Sequence, residues 1–492
     1  MEDTKKEENT TNDTKKETKE ETKEAKPLSQ VNDKSNDTDH THEHEHHHDH
    51  PHEHDHPHEH EHEHDHPHEH DLDKLTDEQK RQIQEEMAKL SLMRSKRKKG
   101  EIKETYKFWS EQPVPQFDKE IDVKFGPIIK DNKVENERKE PYPLPTGFEW
   151  ADVDVTNPPE LDKLYEFLKG NYVEDDDHMF RFDYNKEFLK WHLTAPGYYK
   201  NWLVSVVKPD PKKGKKKMIG FISGIPVKVC INGTDQVMAE INFLCVNQKF
   251  RENRLAPVLI KEVTRRIHLR DIWQAVYTSG TMLPKPWAKC TYFHRNLNVT
   301  KLLDIKFTYL GPNMNRARAK AIYKLPKDPS IQGLRPMEAK DVDQVTELLD
   351  AYEKKFKVHG YYNKEEVAHW FLPKKNVVYS YVNCDNDNKV TDFISFYSLP
   401  SSVLNHETHK KLYACYSFFN IANSVSFKEL IKNALILAKN NGFDVYNCLN
   451  IMENQTIFTD LLFGQGDGTL KYYFYNFVCP DTKPEDLSLV LM

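Results

Sequence analysis

The stretch "EINFLCVNQKFRENRLAPVLIKEVTRRIHLRDIWQAVY", Glu240 to Tyr277, sets an apolar run, a basic loop and a helical pattern in immediate succession. Ile241 to Val246 read as a strand, Lys249, Arg251 and Arg254 make the loop basic, and Pro257 sits early in the following helix, where its missing N–H costs little. A strand, a turn with exposed amides and a helix N-terminus form an anion site, reinforced here by guanidinium groups. The ligand this predicts is a phosphate or pyrophosphate.

Working outward, the chain repeats itself. "GFEWADVDVTNPPELDKLYEFLKG" (Gly147 to Gly170) reads as a short strand, a break at Pro158 and Pro159, and a helix with Leu161, Leu164, Tyr165 and Leu168 on one face. "GLRPMEAKDVDQVTELLDAYEKKF" (Gly333 to Phe356) has the same order, with Val342, Val345, Leu348, Leu349 and Tyr352 facing inward. Each is followed by a second helical region and then by β-hairpins: "NWLVSVV", "MIGFISGIPVKVCING" and "VMAEINFLCV" in the first half, "VVYSYV" and "KVTDFISFYSLP" around a polar "DNDN" turn in the second. Such order resembles the GNAT acyltransferase superfamily, and Arg251-x-x-Arg254-x-Ala256 is a loose form of its pyrophosphate loop, with Arg in place of a usual Gly. The expected architecture is therefore α/β (α+β): a pseudo-twofold duplicated GNAT-like fold, its central sheet saddle-shaped, mostly antiparallel and flanked by helices. The halves are divided as 101–325 and 326–492.

Residues 1–100 differ in kind. All seven Trp lie beyond residue 100, while residues 40–70 carry 17 of the 25 histidines and three copies of HDHPHEH. With 30% charged residues and a mean hydropathy of −0.81, this composition predicts an acidic, His-rich, disordered tail. Alternating imidazoles can converge on Zn or Ni, or serve as a solvated spacer whose charge rises on acidification. "LTDEQKRQIQEEMAKLSLM" (Leu75 to Met93) predicts a helix with a Thr76/Gln79 capping box and Ile83, Met87 and Leu90 on one face. A basic run, Arg94 to Lys103, follows. It fits ribosomal RNA (through Arg94 to Lys99), an anionic membrane, or plain solvation. Seven scattered cysteines without a CxxC pair fit a reducing compartment, and neither a signal core nor a membrane-length apolar run occurs, so a cytoplasmic protein is expected. A net charge of −7 argues against a polyanion binder overall.

The stretch at Glu240–Tyr277 also resembles the signature of the N-myristoyltransferase family. In the same order "YKFWSEQPVPQF" (Tyr106–Phe117), "NYVEDDDHMFRFDY" (Asn171–Tyr184), "YTSGTMLPKPWAKCTYFHRNLNVTKLLDIKF" (Tyr277–Phe307), "EEVAHWFLP" (Glu365–Pro373), "FYSLPSS" (Phe396–Ser402), "FGQGDGTLKYYFYNF" (Phe463–Phe477) and the apolar ending "EDLSLVLM" (Glu485–Met492) resemble it too, covering about residues 103 to 492. The resemblance implies transfer of myristate from myristoyl-CoA, a co-substrate and not a permanent cofactor, to the α-amine of an N-terminal glycine on peptides and nascent proteins. It implies that the backbone amides of Phe243 and Leu244 form an oxyanion hole at a kink ending their strand. The base would be the terminal carboxylate of Met492, with Asn242 and Thr278 holding the amine and passing its proton. Coenzyme contacts fall on Lys107, Phe108, Trp109, Phe243, Leu244, Cys245, Val246, Arg251, Glu252, Arg254, Leu255, Ala256 and Pro257. Groove positions fall on Tyr172, Val173, Phe180, Phe182, Tyr184, Gly280, Tyr292, His294, Ser401, Asn447, Leu470 and Leu491. Glu174, Asp175, Asp176 and Asp177 become a lid which, with Asp467, favours basic substrate residues. The family suggests a monomer and no metal in the core.

Several residues depart from the family pattern. Asn247, Gln248 and Asn253 stand where His or Lys is frequent, Ala288, Lys289 and Phe293 where Gly, Thr and Trp are common, and His178 where Asn is usual. These bear on CoA affinity and groove shape. Residue by residue, plainer readings remain: core strand for Phe243 and Leu244, core aromatics for Phe108 and Trp109, a solvated loop for 174–177, a structural histidine at 294. Two other functions stay open on the sequence: a GNAT-type transferase using a shorter acyl-CoA, and a metal-buffering or scaffold protein acting through the histidine tract.

Overall fold

Pro158 and Pro159, read from the sequence as a break, are instead the first two residues of a helix. Proline lacks the N–H that a first turn cannot use, so the pair starts the helix and does not interrupt it. The computed structural model describes residues 75–96, 106–119, 121–210 and 214–492, and within 87–96 the backbone alone. The histidine tract and residues 97–103 of the basic run lie outside the described residues, as do the metal and ribosome expectations attached to them.

The first elements are α1 (Asp77–Lys96), β1 (Glu149–Asp152), α2 (Pro158–Asn171), β2 (Phe180–Phe182), α3 (Lys186–Leu193), β3 (Leu203–Asp210), β4 (Lys215–Ile231), β5 (Thr234–Val246), α4 (Leu255–His268), β6 (Ala275–Ser279), β7 (Ala288–Asn296), α5 (Val299–Asp304) and α6 (Arg316–Ile322). They are followed by β8 (Arg335–Pro336), α7 (Val342–Glu353), β9 (Val358–Gly360), α8 (Lys364–Phe371), β10 (Val378–Cys384), β11 (Val390–Ser398), β12 (Ser401–Val403), β13 (Lys411–Leu412), β14 (Ala414–Ile421), α9 (Phe427–Asn440), β15 (Val445–Leu449) and β16 (Gly464–Tyr475).

Among the described residues one sheet runs β1-β3-β4-β5-β6-β16-β7-β15-β14-β11-β10-β8, with β9 added beside β4. Read inward from its two ends, this order pairs β1 with β8, β3 with β10, β4 with β11, β5 with β14 and β6 with β15, which is the repeat seen in the sequence. The neighbours are antiparallel except β5 with β6 and β14 with β15. Both parallel ladders are short. The first ends at Glu240–Val276, although β5 runs on to Val246 and β6 to Ser279, so the strands part where Asn242 and Thr278 stand.

Helices cover both faces for the reason their sequences give. Leu255, Leu259, Val263 and Ile267 of α4 pack on Val204, Val206, Ile219 and Ile222 in one half. Leu430, Ile431, Ala434 and Leu435 of α9 repeat this against Ile394, Phe396 and Tyr446 in the other. The largest cluster lies on the opposite face, where α2, α3, α7 and α8 meet the C-terminal residues Leu487, Leu489, Val490 and Leu491. Helix α1 carries the expected capping box, Thr76 N–H to Gln79 Oε1 at 2.9 Å and Gln79 N–H to Thr76 Oγ1 at 3.2 Å. Its Ile83 packs beside Leu310 and Met314, and Gln84 accepts from Thr459 Oγ1 at 2.6 Å. No helix among the described residues is long and apolar enough to cross a membrane.

Candidate active site

The kink expected at the end of β5 lies inside it. Phe243 has φ +54°, in the left-handed region that a bulky residue rarely adopts, and the β4–β5 register slips between Phe221/Cys245 and Ser223/Asn242. The bulge throws Leu244 outward while Phe243 stays buried, and the strand resumes through buried Cys245 and Val246. Phe243 N–H donates to Asn242 Oδ1 at 2.8 Å, and the Phe243 backbone also bonds the Tyr172 hydroxyl. The Asn242 side chain then donates through Nδ2 to the terminal carboxylate of Met492. Thr278 lies on β6 across the opening, half-buried and paired with Tyr472. Strand bulge and chain terminus, far apart in sequence, therefore meet at one amide side chain.

The terminus is held firmly. Leu487 bridges Val358 of β9, Ser488 N–H donates to Val358 O at 3.0 Å, Met452 N–H to Leu487 O at 3.1 Å, and Tyr472 Oη to Leu489 O at 3.1 Å. Val490 and Leu491 are buried and Met492 is half-buried at the wall of a cleft of about 580 Å³, counting solvent at its mouth.

The basic loop is a short 3-10 helix, Gln248–Asn253, ending at Arg254 with φ +53° before α4 starts at Leu255. Glu252 and Arg254 are exposed, and Leu255 is buried beneath half-buried Ala256 and Pro257. Arg251 reaches back to Asn171 O at 2.9 Å. Lys107 is exposed, while the neighbouring aromatics are half-buried: Trp109 stacks on Tyr277 at 5.7 Å between ring centres, and Tyr277 on Tyr473 at 5.2 Å. This stack anchors the N-terminal segment beside β6.

Across the sheet an aromatic wall follows. Tyr184 lies 5.0 Å from Phe243, Tyr172 5.7 Å from Tyr184, and Phe182 5.9 Å from Tyr184. Strand β2 reaches the second half by pairing with β12, Phe182 opposite Ser401 and Phe180 opposite Val403. His294 and Asn447 are register partners on β7 and β15 with Nδ1 2.6 Å from Oδ1, and burial holds the His294 pKa below its usual value. Gly466 presses on His294, and exposed Asp467 acts on it electrostatically. Half-buried Tyr292 lies 6.0 Å from Tyr416, and Leu470 stands opposite Cys290 on the neighbouring strand. Exposed Gly280 offers its carbonyl to Lys471 Nζ at 2.6 Å.

Models for two domains match this chain: the myristoyl-CoA:protein N-myristoyltransferase N-terminal domain over residues 127–290, and the C-terminal domain over 304–488. The chain is 47% identical over 395 residues to the glycylpeptide N-tetradecanoyltransferase of Plasmodium falciparum, covering 80% of this chain and 95% of that one. It belongs to the N-myristoyltransferase family. To glycylpeptide N-tetradecanoyltransferase 2 of Bos taurus it is 48% identical over 389 residues, 79% of this chain and 77% of the relative. The crystal structure of Saccharomyces cerevisiae N-myristoyltransferase with bound myristoyl-CoA matches with a TM-score of 0.75 at 37% identity, over 79% of this chain and all of that one. An N-myristoyltransferase is an acyltransferase, and its fold is GNAT-like.

The acidic run at 174–177 is more tightly bonded than its sequence implied. Glu174 is bonded by both Arg181 and His178, the latter at 2.6 Å, and by Gln248 of the basic loop at 3.3 Å. Its carboxylate is held below the usual range by His178 and Arg181 against a desolvation cost. Asp175 accepts from the amides of Met179 and Phe180 at 2.7 Å, shaping the turn, while Val173 remains exposed. All seven cysteines are free thiols, and burial pushes Cys245, beside the bulge, up to about 12. No group of three or more His, Cys, Asp or Glu able to hold a metal ion occurs among the described residues. Sequence reasoning missed the β2–β12 pairing, the Glu174–Arg181 bond and the buried Glu353 beneath the terminus. Glu353 had left a trace: it falls on the apolar stripe of α7, four residues after Leu349.

Proposed function

We propose that the chain transfers myristate from myristoyl-CoA to the α-amine of an N-terminal glycine, with the terminal carboxylate of Met492 as the base. The observation that carries the reading is the Asn242 amide, which binds that carboxylate on one side and the Phe243 N–H on the other. The half at 101–325 takes the acyl-CoA, with Lys107, Phe108 and Trp109 along the coenzyme. Arg251, Arg254 and the amides opening α4 meet its phosphates. The half at 326–492 takes the peptide together with groove residues of the first half, its glycine entering between Tyr172, Tyr184, Tyr292 and Leu470.

The chemistry needs little else. A glycine ammonium, with an ordinary pKa of roughly 7.7 to 8, gives a proton to the Met492 carboxylate, helped by Asn242 and Thr278. The free amine attacks the thioester carbon. The carbonyl oxygen takes over the Phe243 N–H from Asn242 Oδ1 and meets the Leu244 N–H as its charge grows. Collapse breaks the C–S bond, forms the amide, and releases the coenzyme thiolate, which picks up a proton. A raised thiol pKa at Cys245 fits a route without a protein thiol nucleophile.

Intact-mass analysis tests this with the full chain, myristoyl-CoA and a Gly-initiated peptide, beside an Ala-initiated control. One myristoyl added to the Gly peptide alone is the expected result, while transfer from acetyl-CoA instead would move the assignment to a short-chain GNAT-type activity.

A further inference from the structure

Behind the terminus, a polar cluster is buried among residues of the largest apolar cluster, with His359 beside it. Ser488 is fully buried, and its hydroxyl donates to Glu353 Oε2 at 2.8 Å. The same oxygen accepts from Gly360 N–H at 3.1 Å, and Oε1 of this buried carboxyl has no partner among the described residues. Glu353 is the last residue of α7, Gly360 the last of β9, and Ser488 lies four residues before Met492. We propose that Glu353 and Ser488 form a positioning pair that aims the terminal carboxylate of Met492 at Asn242.

The argument is one of shared frame and lever arm. Strand β9 pairs with β4 through Val229–Gly360, and β4 is the hairpin partner of β5, on which Asn242 stands opposite Ser223. The terminus is laid against β9 by Leu487 and Ser488, so the Asn242 amide and the base are referred to the same ladder. Glu353 ties helix, strand and terminus at a single oxygen. From Ser488 to Met492 the arm is four residues, roughly 13 Å when extended. A rotation of about 5° at Ser488 would carry its far end about 1 Å, a misplacement that costs catalysis up to about 10²-fold. Buried acceptors and donors of this kind hold one geometry because leaving either unpaired is expensive.

The pair also explains why a glutamic acid, and not an apolar side chain, ends the inward face of α7. Burial holds its carboxyl protonated, up to about 8. It can therefore accept from Ser488 and Gly360 without placing a second full negative charge beneath the base.

This inference rests on the reading of Met492 as the base, and the experiment separates the two. Full-chain Ser488→Ala, Glu353→Gln, Glu353→Leu and a variant lacking Met492 are assayed with both co-substrates saturating. Ser488→Ala is expected to lose about tenfold in kcat, with peptide KM and myristoyl-CoA Kd within about twofold. Glu353→Gln, which keeps the acceptor, should hold its kcat, Glu353→Leu should fall as Ser488→Ala does, and the Ser488→Ala/Glu353→Leu double variant should fall no further. A wild-type kcat for Ser488→Ala, or losses that multiply in the double variant, would overturn the pair. Full activity without Met492 would instead remove the terminal-base reading beneath it.

Discussion

Asn242 and Met492 are separated by 250 positions, yet the side-chain amide of the first holds the terminal carboxylate of the second. The contact exists because a bulge at Phe243 turns β5 outward immediately beside Asn242, at the point where β5 leaves β6. Replacing this amide by a carboxylate keeps the shape and reverses the interaction. In Asn242→Asp, two like charges share one site, so the pKa of the pair is raised and the terminal carboxylate proposed as the base stays protonated to higher pH. A kcat loss of about 10²-fold near neutrality is expected, with the acid limb of the pH–rate profile moved upward. An unmoved acid limb would mean that the ionisation controlling the rate lies elsewhere.

Gly466 gives a second test, on the groove. A Cβ there would sit 2.3 Å from His294 Nε2 and 3.1 Å from Tyr292 O. The ring cannot simply turn aside, because its Nδ1 is bonded to Asn447. Gly466→Ala should raise the peptide KM by about tenfold and leave myristoyl-CoA affinity unchanged, as titration of each ligand separately would establish.

Much of this was legible beforehand, for reasons that differ by residue. The halves were visible because amphipathic stripes such as Leu161/Leu164/Leu168 and Val345/Leu349/Tyr352 obey a helical period that burial enforces. The basic loop was visible because Arg251 and Arg254 interrupt an apolar pattern. Proline misled at Pro158, since the same residue ends one element and begins another. The bulge at Phe243 was placed at the strand end because composition alone does not mark a left-handed residue inside "INFLCV". Pairings set by long-range topology, such as Phe182 with Ser401 or Ser488 with Glu353, carry no local period at all. These last are the contacts that bring the two halves and the terminus together.

Gly220 probes the support of the basic loop before α4. A Cβ at this position on β4 would meet Leu259 Cδ1 of α4 at 2.9 Å, in a fully buried layer. Gly220→Ala is expected to cost about 1–3 kcal/mol in equilibrium unfolding and to weaken myristoyl-CoA binding, because α4 must lift with its N-terminus. Unchanged coenzyme affinity in a destabilised variant would show that the loop is positioned independently of this packing.

Glu353 offers a test through pH. Its carboxyl is raised by burial from 4.5 to about 8, against smaller opposing effects of Ser488 and the Gly360 amide. The titratable groups facing it are His359, whose Nδ1 is 3.9 Å away, and Tyr352 and Tyr362, which carry no charge in this range. Between pH 4.5 and 8 the unfolded chain gives up this proton while the native chain keeps it, so the unfolded state binds fewer protons and stability falls as pH rises. The slope from this one group approaches about 1.4 kcal/mol per pH unit in the middle of the window. Glu353→Gln keeps the acceptor geometry and has no proton to lose, so its advantage over the native chain should grow from pH 5 to pH 8 and then level off, by denaturant unfolding at each pH. A constant difference across that window would place the native carboxyl in its charged form, with a cation or water supplying the partner that Oε1 lacks.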